Sequence, residues 1–339
     1  MSVGQTKVFM GPREKEVINR AIKSLEEETH TRVKTEIFEK DVDVFIKIDE
    51  HNLVFNAEVR LFLNKARLGL VLNQKRTHRG IPLLITEHVN PELMIHLVNN
   101  GVNFIDAVGN AYINEPPLFI KIKGNKPEDN KKTKNIDRPF YTAALQTIFT
   151  ILCNPGIEIK PVREIAELAG VAHGTAHITL KELERQGYLL NNQTRLINKK
   201  DLLERWVVLY PEKLKPKYII GKYKAENEQI NNIDLLNFDA LWGGEAAAAK
   251  LTNYLQPFIF TIYIGDRQGE FTLKNRLKKH PQGNLELIKK FWKFQNNDYM
   301  GITPPILVYA DLLATGDPRN IETAQIIYEK DIARYIEKD

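Results

Sequence analysis

Two acidic residues in the first half of the sequence have the types and spacing of a metal-binding pair. Asp43 lies in the alternating run "DVDVFIKI", and Glu58 lies in the next apolar run, "LVFNAEVRL", two residues before Arg60. Carboxylates on two adjacent strands can hold Mg²⁺, which polarises a phosphodiester and activates a water molecule for attack. The chemistry that these residues would supply is hydrolysis of nucleic acid.

An Asp followed on the neighbouring strand by Glu-x-Lys resembles the skeleton of restriction-endonuclease-like sites. The third position here is Arg60. Arginine keeps its proton in proteins and presents a fork of donors, so it is a poor replacement for a lysine that positions water. We therefore expect Arg60 to pair with Glu58, and we predict a restriction-endonuclease-like α/β domain with no catalytic, metal or cofactor site. The alternative is a metal-dependent DNA nuclease that uses Asp43 and Glu58.

A second incomplete pattern lies in the C-terminal half. Gly243 and Gly244 precede an alanine-rich run and then the strand-like run "FIFTIYI", which is the order in which minimal nucleotidyltransferases begin. Those enzymes carry two carboxylates on the strand, whereas this run has Thr261 and Tyr263, and Asp266 follows its end. We therefore expect a C-terminal α/β domain resembling a degenerate nucleotidyltransferase. The alternative for the glycine pair is a tight turn that lets a helix pack closely.

The end of the chain carries a group of polar residues within apolar surroundings. Residues 304–330, "PPILVYADLLATGDPRNIETAQIIYEK", predict a strand, a short helix from about Ala310, a turn at 316–318 and a final helix. Four polar side chains in this stretch either cap and hydrogen-bond the helices or meet a partner, and they are Asp311, Asp317, Arg319 and Glu322.

The stretch "REIAELAGVAHGTAHITLKELERQGYL" (163–189) predicts two helices joined by a sharp turn. Pro161 can begin the first helix without losing a hydrogen bond, and Gly170 can end it in the left-handed conformation. The second helix is predicted over about residues 173–186, before Gly187. Its inward face is given by the i, i+4, i+7 spacing of Ala176, Leu180 and Leu183.

The polar face of that second helix is the candidate DNA-binding surface. An apolar helix, "TAALQTIFTILC", precedes the pair and a hairpin pattern, "YLLNNQTRLI", follows it, which is the order of a winged helix-turn-helix. In that motif the second helix of the pair enters the major groove. The residues that we expect to contact duplex DNA are His173, Thr175, His177 and Lys181 on the helix and Arg195 on the wing. A protein–protein module is the alternative.

Positive charge is concentrated beside this motif. The chain has a net charge of +5 and a pI near 8.9. Residues 138–200 contain eight Lys or Arg and five Asp or Glu. Residues 121–138 contain seven Lys or Arg and three Asp or Glu. Neutralisation of DNA phosphates needs such a concentration of cations. A solvated linker is the alternative for residues 121–138.

The composition sets the class of protein. With 339 residues and 43% hydrophobic residues, the chain can form two or three domains with real cores. Cys153 is the single cysteine, so no disulfide can form within one chain, and we interpret it as a small core residue. There is no apolar run of membrane-spanning length and no signal-peptide pattern at the start. We expect a cytoplasmic protein that does not enter membranes, and a homodimer is one assembly that the sequence allows.

The predicted organisation is α/β multidomain. The N-terminal half shows a helix over residues 12–29, strands at 41–48, 53–61 and 81–86, a helix capped by Asn90, and further strands at 102–113 and 118–124. We therefore predict a restriction-endonuclease-like α/β domain at 1–124 and a basic linker at 125–137. A winged helix-turn-helix with its exit helix is predicted at 138–217, and the C-terminal α/β domain at 230–339.

Three pieces of the sequence resemble one family. They are "NFIDAVGNAYI", the winged helix at 140–197, and the run from "WGGEAAAAKL" to "PPILVYADLLATGDPRNIETA". Together they are similar to the AbiEi group of antitoxins and transcriptional regulators from bacterial type IV toxin–antitoxin systems. The segments "VYADLLATGDPR" and "FIDAVGN" are the most specific. This chain departs from the simplest members because an α/β domain precedes the winged helix.

The resemblance implies a function. It implies a DNA-binding repressor of its own operon and an antitoxin in abortive infection. It also implies a nucleotidyltransferase-like toxin encoded alongside, whose effect the antitoxin opposes without forming a stable complex with it. We expect residues from about 230 to 339 to carry the antitoxic effect separately from DNA binding. On that view, a chain ending near Lys217 would still bind DNA but would fail to rescue growth. The alternative for residues 230–339 is a dimerisation or packing domain.

Overall fold

The protein has two compact units, each with helices and a mixed sheet. The computed structural model describes residues 12–38, 43–48, 53–60, 63–64, 66–69, 81–126, 141–190, 195–295 and 301–337. The first unit comprises Met1–Leu68 with Gln74–Lys134, and the second comprises Gly69–Asn73 with Asn135–Asp339. The α/β multidomain class predicted from the sequence is confirmed at this level.

The first unit is built on a seven-stranded sheet whose strands lie side by side in chain order. Its elements are α1 (Pro12–Thr29), β1 (Val33–Phe38), β2 (Asp43–Ile48), β3 (Leu53–Arg60), β4 (Ile81–Thr86), α2 (Pro91–Asn99), β5 (Phe104–Asp106), β6 (Ala111–Glu115) and β7 (Leu118–Ile122). The strands β3, β4 and β5 are parallel, and the other neighbours are antiparallel.

Helix α1 covers one face of this sheet. Its buried side chains recur at helical spacing and pack against strand residues such as Ile46 and Phe55. They are Val17, Ile18, Ala21, Ile22 and Leu25. The predicted helix at 12–29 is therefore confirmed, whereas the sequence analysis did not identify β1, which pairs with β2 along its whole length.

The segment "FIDAVGN" forms a turn organised by one buried carboxylate. Asp106 is buried and accepts hydrogen bonds from the backbone amides of Val89, Val108 and Asn110, and from the Asn110 side chain. Gly109 has φ +101°, and a Cβ there would lie 2.8 Å from Asn125 Nδ2. The sequence of this turn is thus explained by backbone geometry and hydrogen bonding.

The second unit begins with helices and continues into an α/β layer. Its helices before the sheet are α3 (Thr142–Cys153), α4 (Val162–Ala169), α5 (His173–Arg185) and α6 (Lys199–Leu209). A π-turn at Tyr210–Leu214 and a 3₁₀ turn at Lys215–Lys217 continue α6. In the part of the chain that the structure describes, no helix is long and apolar enough to cross a bilayer.

The second sheet has five strands, and helices follow it. The elements are β8 (Ile219–Lys224), α7 (Asn227–Asn231), β9 (Ala240–Gly243), α8 (Gly244–Thr252), β10 (Phe260–Ile264), α9 (Gln268–Lys274), β11 (Lys278–Lys279), β12 (Leu285–Lys289), α10 (Pro305–Thr315), α11 (Pro318–Ile327) and α12 (Ala333–Ile336). The strand order is β11-β8-β12-β10-β9, and only β10 and β12 are parallel.

One predicted element is wrong. Residues 304–309 were expected to form a strand, but α10 runs from Pro305 to Thr315, with Pro304 as its N-cap. Proline is tolerated at the start of a helix because its missing amide has no partner there. Residues 305–313 are all buried and, apart from Asp311, apolar or aromatic, so the run carries no period that separates helix from strand.

An aromatic core joins the helices of the second unit to the segment after β12. The Phe149 ring lies 5.1 Å from Trp206, 5.2 Å from Phe291 and 5.5 Å from Trp292, measured between ring centroids. Phe294 completes the group at 5.7 Å. All five side chains are buried. The helices α3 and α6 therefore share one core with residues 291–294.

Candidate nucleic-acid interface

Helices α4 and α5 form the sharply turned pair that the sequence predicted. Gly170 ends α4 with φ +67°, and its amide donates to Glu167 O. Val171 donates to Ala166 O, so both bonds close the left-handed helix end that glycine favours. Helix α5 then begins at His173.

The inward face of α5 is as predicted from its spacing. Ala176, Leu180 and Leu183 are buried, and so is Thr179, whose hydroxyl donates to Thr175 O at 2.9 Å. Lys293 N donates to Leu168 O at 2.8 Å, which fixes α4 against the segment after β12. Among the described residues, α5 buries one side against the unit, and its opposite side is exposed.

The predicted DNA-contacting residues of α5 lie on that open side. His173 and Lys181 are exposed, and Thr175 and His177 are half-buried. Arg195 is exposed at the start of a return segment, where its carbonyl accepts from Leu190 N at 3.0 Å. An antiparallel bridge between Leu189 and Leu196 makes the base of the expected wing hairpin, whose tip at 191–194 lies outside the described residues. Contact between these five predicted residues and DNA stays a prediction.

The C-terminal end of α5 is held by its own ion pair. Arg185 donates to Glu182 through Nε at 2.9 Å and through a terminal nitrogen at 2.5 Å. The hydrogen bond from Arg185 lowers the pKa of Glu182 below its ordinary value. Arg205 donates to Gln186 Oε1 and to the Tyr188 hydroxyl, which also bonds Asp201. Arg185 is therefore engaged within the helix, whereas Lys181 extends from its exposed middle.

One exposed side chain on this face was not singled out from the sequence. Ile178 is 60% exposed, and it lies three residues before Lys181 and four residues after Gly174. The sequence signal was available, because i, i+3 and i+4 positions share one face of a helix. Ile178 is apolar, so a prediction based on polar side chains does not include it.

The basic linker predicted at 125–137 lies largely outside the described residues. Asn125 and Lys126 are described, whereas 127–137 are not. Immediately before it, Lys121 and Lys123 are exposed, and so is Lys126. The role of this stretch in binding phosphates stays a prediction.

The candidate nuclease residues lie on adjacent antiparallel strands, as their order in the sequence predicted. Val44 pairs with Ala57, so Asp43 and Glu58 are the next residues along β2 and β3. Arg60 forms an ion pair with Glu58, and this predicted pairing is confirmed. Among the described residues, no three His, Cys, Asp or Glu side chains come together as a metal site. The cation beside Glu58 neutralises the carboxylate that a metal would need.

The ion pair leads to an expected result for nuclease assays. The full chain, incubated with plasmid DNA and Mg²⁺ or Mn²⁺, is expected to leave the plasmid supercoiled, because Arg60 neutralises Glu58. Agarose electrophoresis over a time course measures this. Glu58→Gln is the matched control, and nicking by the wild type that disappears in this variant would support the nuclease alternative.

In the C-terminal half, the glycine pair accommodates a tyrosine ring. A Cβ at Gly243 would lie 2.4 Å from Tyr263 Cε2, and Gly244 has φ +50°. The Tyr263 hydroxyl donates to Asp311 Oδ2 at 2.8 Å. The close-packing interpretation of the two glycines therefore accounts for both of them.

Asp311 is the centre of a buried polar network. It is 4% exposed and also accepts from the Tyr210 hydroxyl and from Lys215 Nζ, each at 2.9 Å. Lys215 Nζ lies 3.4 Å from Glu286 as well. Burial raises the pKa of Tyr210 and of Tyr263, and nearby Asp311 raises both further. Burial works to lower the pKa of Lys215, but the two carboxylates outweigh it and the pKa lies above its ordinary value.

The other polar residues near the chain end cap and tie helices. Asp317 is the N-cap of α11 and accepts from the backbone amides of Arg319 and Asn320. Arg319 lies 3.5 Å from Glu245 and 4.3 Å above the Phe258 ring. Glu322 hydrogen-bonds Tyr254 and thereby raises its pKa. The capping and hydrogen-bonding interpretation is confirmed: Asp317 caps a helix, and Asp311, Arg319 and Glu322 hydrogen-bond groups on other elements.

Comparison with known proteins finds one family whose model matches part of the second unit. Residues 195–333 match the family model described as a transcriptional regulator, AbiEi antitoxin, of type IV toxin–antitoxin systems. The resemblance predicted from the sequence is confirmed for this segment, which begins at Arg195 and contains the second sheet. No curated protein and no solved structure matches the chain significantly.

Proposed function

We propose, from the match of residues 195–333 to the AbiEi family, that this protein is a DNA-binding transcriptional regulator and antitoxin. The system would be of type IV, acting in abortive infection in the cytoplasm. The family match is the observation that carries the proposal, because it covers α6, the second sheet, α10 and α11.

The DNA-binding half of the proposal places a winged helix-turn-helix at 138–217, with α5 in the major groove. The support is geometric: α5 is packed on one side and presents His173, His177 and Lys181 on the other. Arg195, at the base of the wing, would add a cation to the backbone contact. An α-helix with one exposed face fits the width of the major groove. The operator would lie in the upstream region of the protein's own operon.

The antitoxic half of the proposal concerns the C-terminal α/β domain at 230–339. We assign it as a degenerate relative of nucleotidyltransferases that keeps the shape and lacks the reaction. The support is that β10 carries Tyr263, bonded to Asp311, where such an enzyme needs a carboxylate pair. Such a domain could compete for the RNA, nucleotide or target of a nucleotidyltransferase-like toxin, without a stable complex with that toxin.

The N-terminal domain at 1–124 is proposed to be restriction-endonuclease-like in fold and inactive. The mixed sheet with a parallel centre supports the fold, and the Arg60–Glu58 pair supports the inactivity. Neither the protein's regulatory role nor its antitoxic role needs catalysis by this domain.

Two assays on the full chain test the proposal. The upstream region of its operon, fused to a reporter gene, is expected to be repressed several-fold when the protein is supplied from a second plasmid. Co-expression with the neighbouring toxin is expected to restore growth. Full reporter expression would contradict the regulator role, and failed rescue with the protein present at normal levels would contradict the antitoxin role.

A further inference from the structure

An apolar side chain lies at the centre of the face that the proposed function assigns to DNA. Ile178 is 60% exposed in the middle of α5, although Ala176, Thr179 and Leu180 beside it are buried. The helix therefore has an inward apolar face that is complete without Ile178. Most of its side chain lies outside that core.

The surroundings of Ile178 leave room for a close approach. At Gly174, one turn earlier on the same face, no described atom outside the adjoining helix backbone lies within 4 Å of the position where a Cβ would stand. His177 precedes Ile178, and Lys181 follows one turn later. Between Gly174 and Lys181, α5 thus presents a bare backbone, one β-branched apolar side chain and two groups able to bond DNA.

This arrangement matches one base better than the others. In the major groove, only thymine presents a methyl group, and proteins recognise it by apolar contact. Histidine and lysine beside an apolar group can bond neighbouring bases or phosphates, which positions the apolar contact. A buried contact between two apolar groups is favourable because both leave water.

We propose that Ile178 is a specificity-determining residue that reads a thymine methyl group in the operator. The proposal rests on the proposed DNA-binding function of α5. It predicts that the operator contains a thymine whose methyl group is required for full affinity, and that this requirement disappears with the Ile178 side chain.

The test uses a substitution in the DNA that removes only the methyl group. Footprinting first locates the segment of the upstream region that the full chain protects. Each thymine of that segment is then replaced by deoxyuridine, and binding is titrated for the wild type, Ile178→Val and Ile178→Ala. One or two replacements are expected to weaken wild-type binding about three- to tenfold, with Ile178→Val close to the wild type. Ile178→Ala is expected to bind thymine and deoxyuridine duplexes equally.

The outcomes separate this inference from the function on which it rests. If the wild type protects no segment of the upstream region, the DNA-binding function and the inference both fail. If it binds but no deoxyuridine weakens binding, or if the weakening persists in Ile178→Ala, only the inference is overturned. Thermal unfolding of Ile178→Ala is expected to match the wild type because the side chain is exposed, so a loss of folding cannot produce these results.

Discussion

Replacement of Asp311 by alanine is expected to destabilise the second unit by about 3–5 kcal/mol, the cost of removing one partner of a buried ion pair. Asp311 accepts hydrogen bonds from Tyr210, Tyr263 and Lys215, and it is 4% exposed. Without it, the buried hydroxyls of Tyr210 and Tyr263 have only each other as partners, so one of them lacks an acceptor, and Lys215 keeps Glu286 alone as its counter-charge. A buried donor without a partner costs the free energy of its lost hydration.

The measurement is urea unfolding of the full chain followed by tryptophan fluorescence. Trp206, Trp242 and Trp292 are the only tryptophans, and all three lie in the second unit. Asp317→Ala is the matched control, because it removes the same side chain from an exposed N-cap and is expected to cost about 1 kcal/mol. Equal losses in the two variants would contradict the central role of Asp311. Asp311→Asn keeps an acceptor without the charge and is expected to lie between them.

A chain ending at Lys217 is expected to lose the fold of its helical segment and, with it, DNA binding. The sequence led to the opposite expectation, because a winged helix needs only its own residues. In the structure, Phe149 packs against Phe291, Trp292 and Phe294, and all three partners lie beyond the truncation. Their removal exposes a contiguous apolar surface around Phe149 and Trp206, which folded proteins rarely tolerate.

Two measurements on the truncated chain test this expectation. Trp206 is its only tryptophan, so a red-shifted emission and a broad, non-cooperative melting curve are expected. A chain ending at Glu337 serves as the control and is expected to melt like the full chain. If the chain ending at Lys217 melts cooperatively and binds the upstream DNA within about twofold of the full chain, the shared core is not needed for folding. The expectation that truncation separates DNA binding from the antitoxic effect would then be supported.

Local signals in the sequence predicted the elements that depend on local chemistry. The bounds of α1 follow from the helical spacing of its apolar residues. The ends of α4 and α5 follow from glycines such as Gly170, which readily adopt the left-handed conformation. Asn90 was correctly predicted as the cap of α2, where it accepts from Leu93 N. The pairing of Arg60 with Glu58 could also be predicted, because both lie on one face of one strand, two residues apart.

The features that the sequence did not predict depend on distant residues or on missing periodicity. The network around Asp311 brings together side chains about a hundred positions apart, and no spacing relates them. Asp311 and Asp317 lie in the same short stretch of the sequence, yet Asp311 is buried and Asp317 is an exposed N-cap. The sequence predicted a strand for the first part of α10, because the helix is buried all round and its residues show no helical period of apolar and polar positions.

The most direct test of the account is a binding titration with a labelled duplex from the upstream region, at several salt concentrations. The variant is His177→Ala with Lys181→Ala, and the matched control is His280→Ala with Lys278→Ala, which removes the same types of side chain from an exposed part of the second unit. We predict that the α5 variant binds at least about tenfold more weakly, with a log–log salt slope smaller by about one, whereas the control binds like the wild type. Equal binding by both variants and the wild type would contradict the assignment of α5 as the DNA-reading helix.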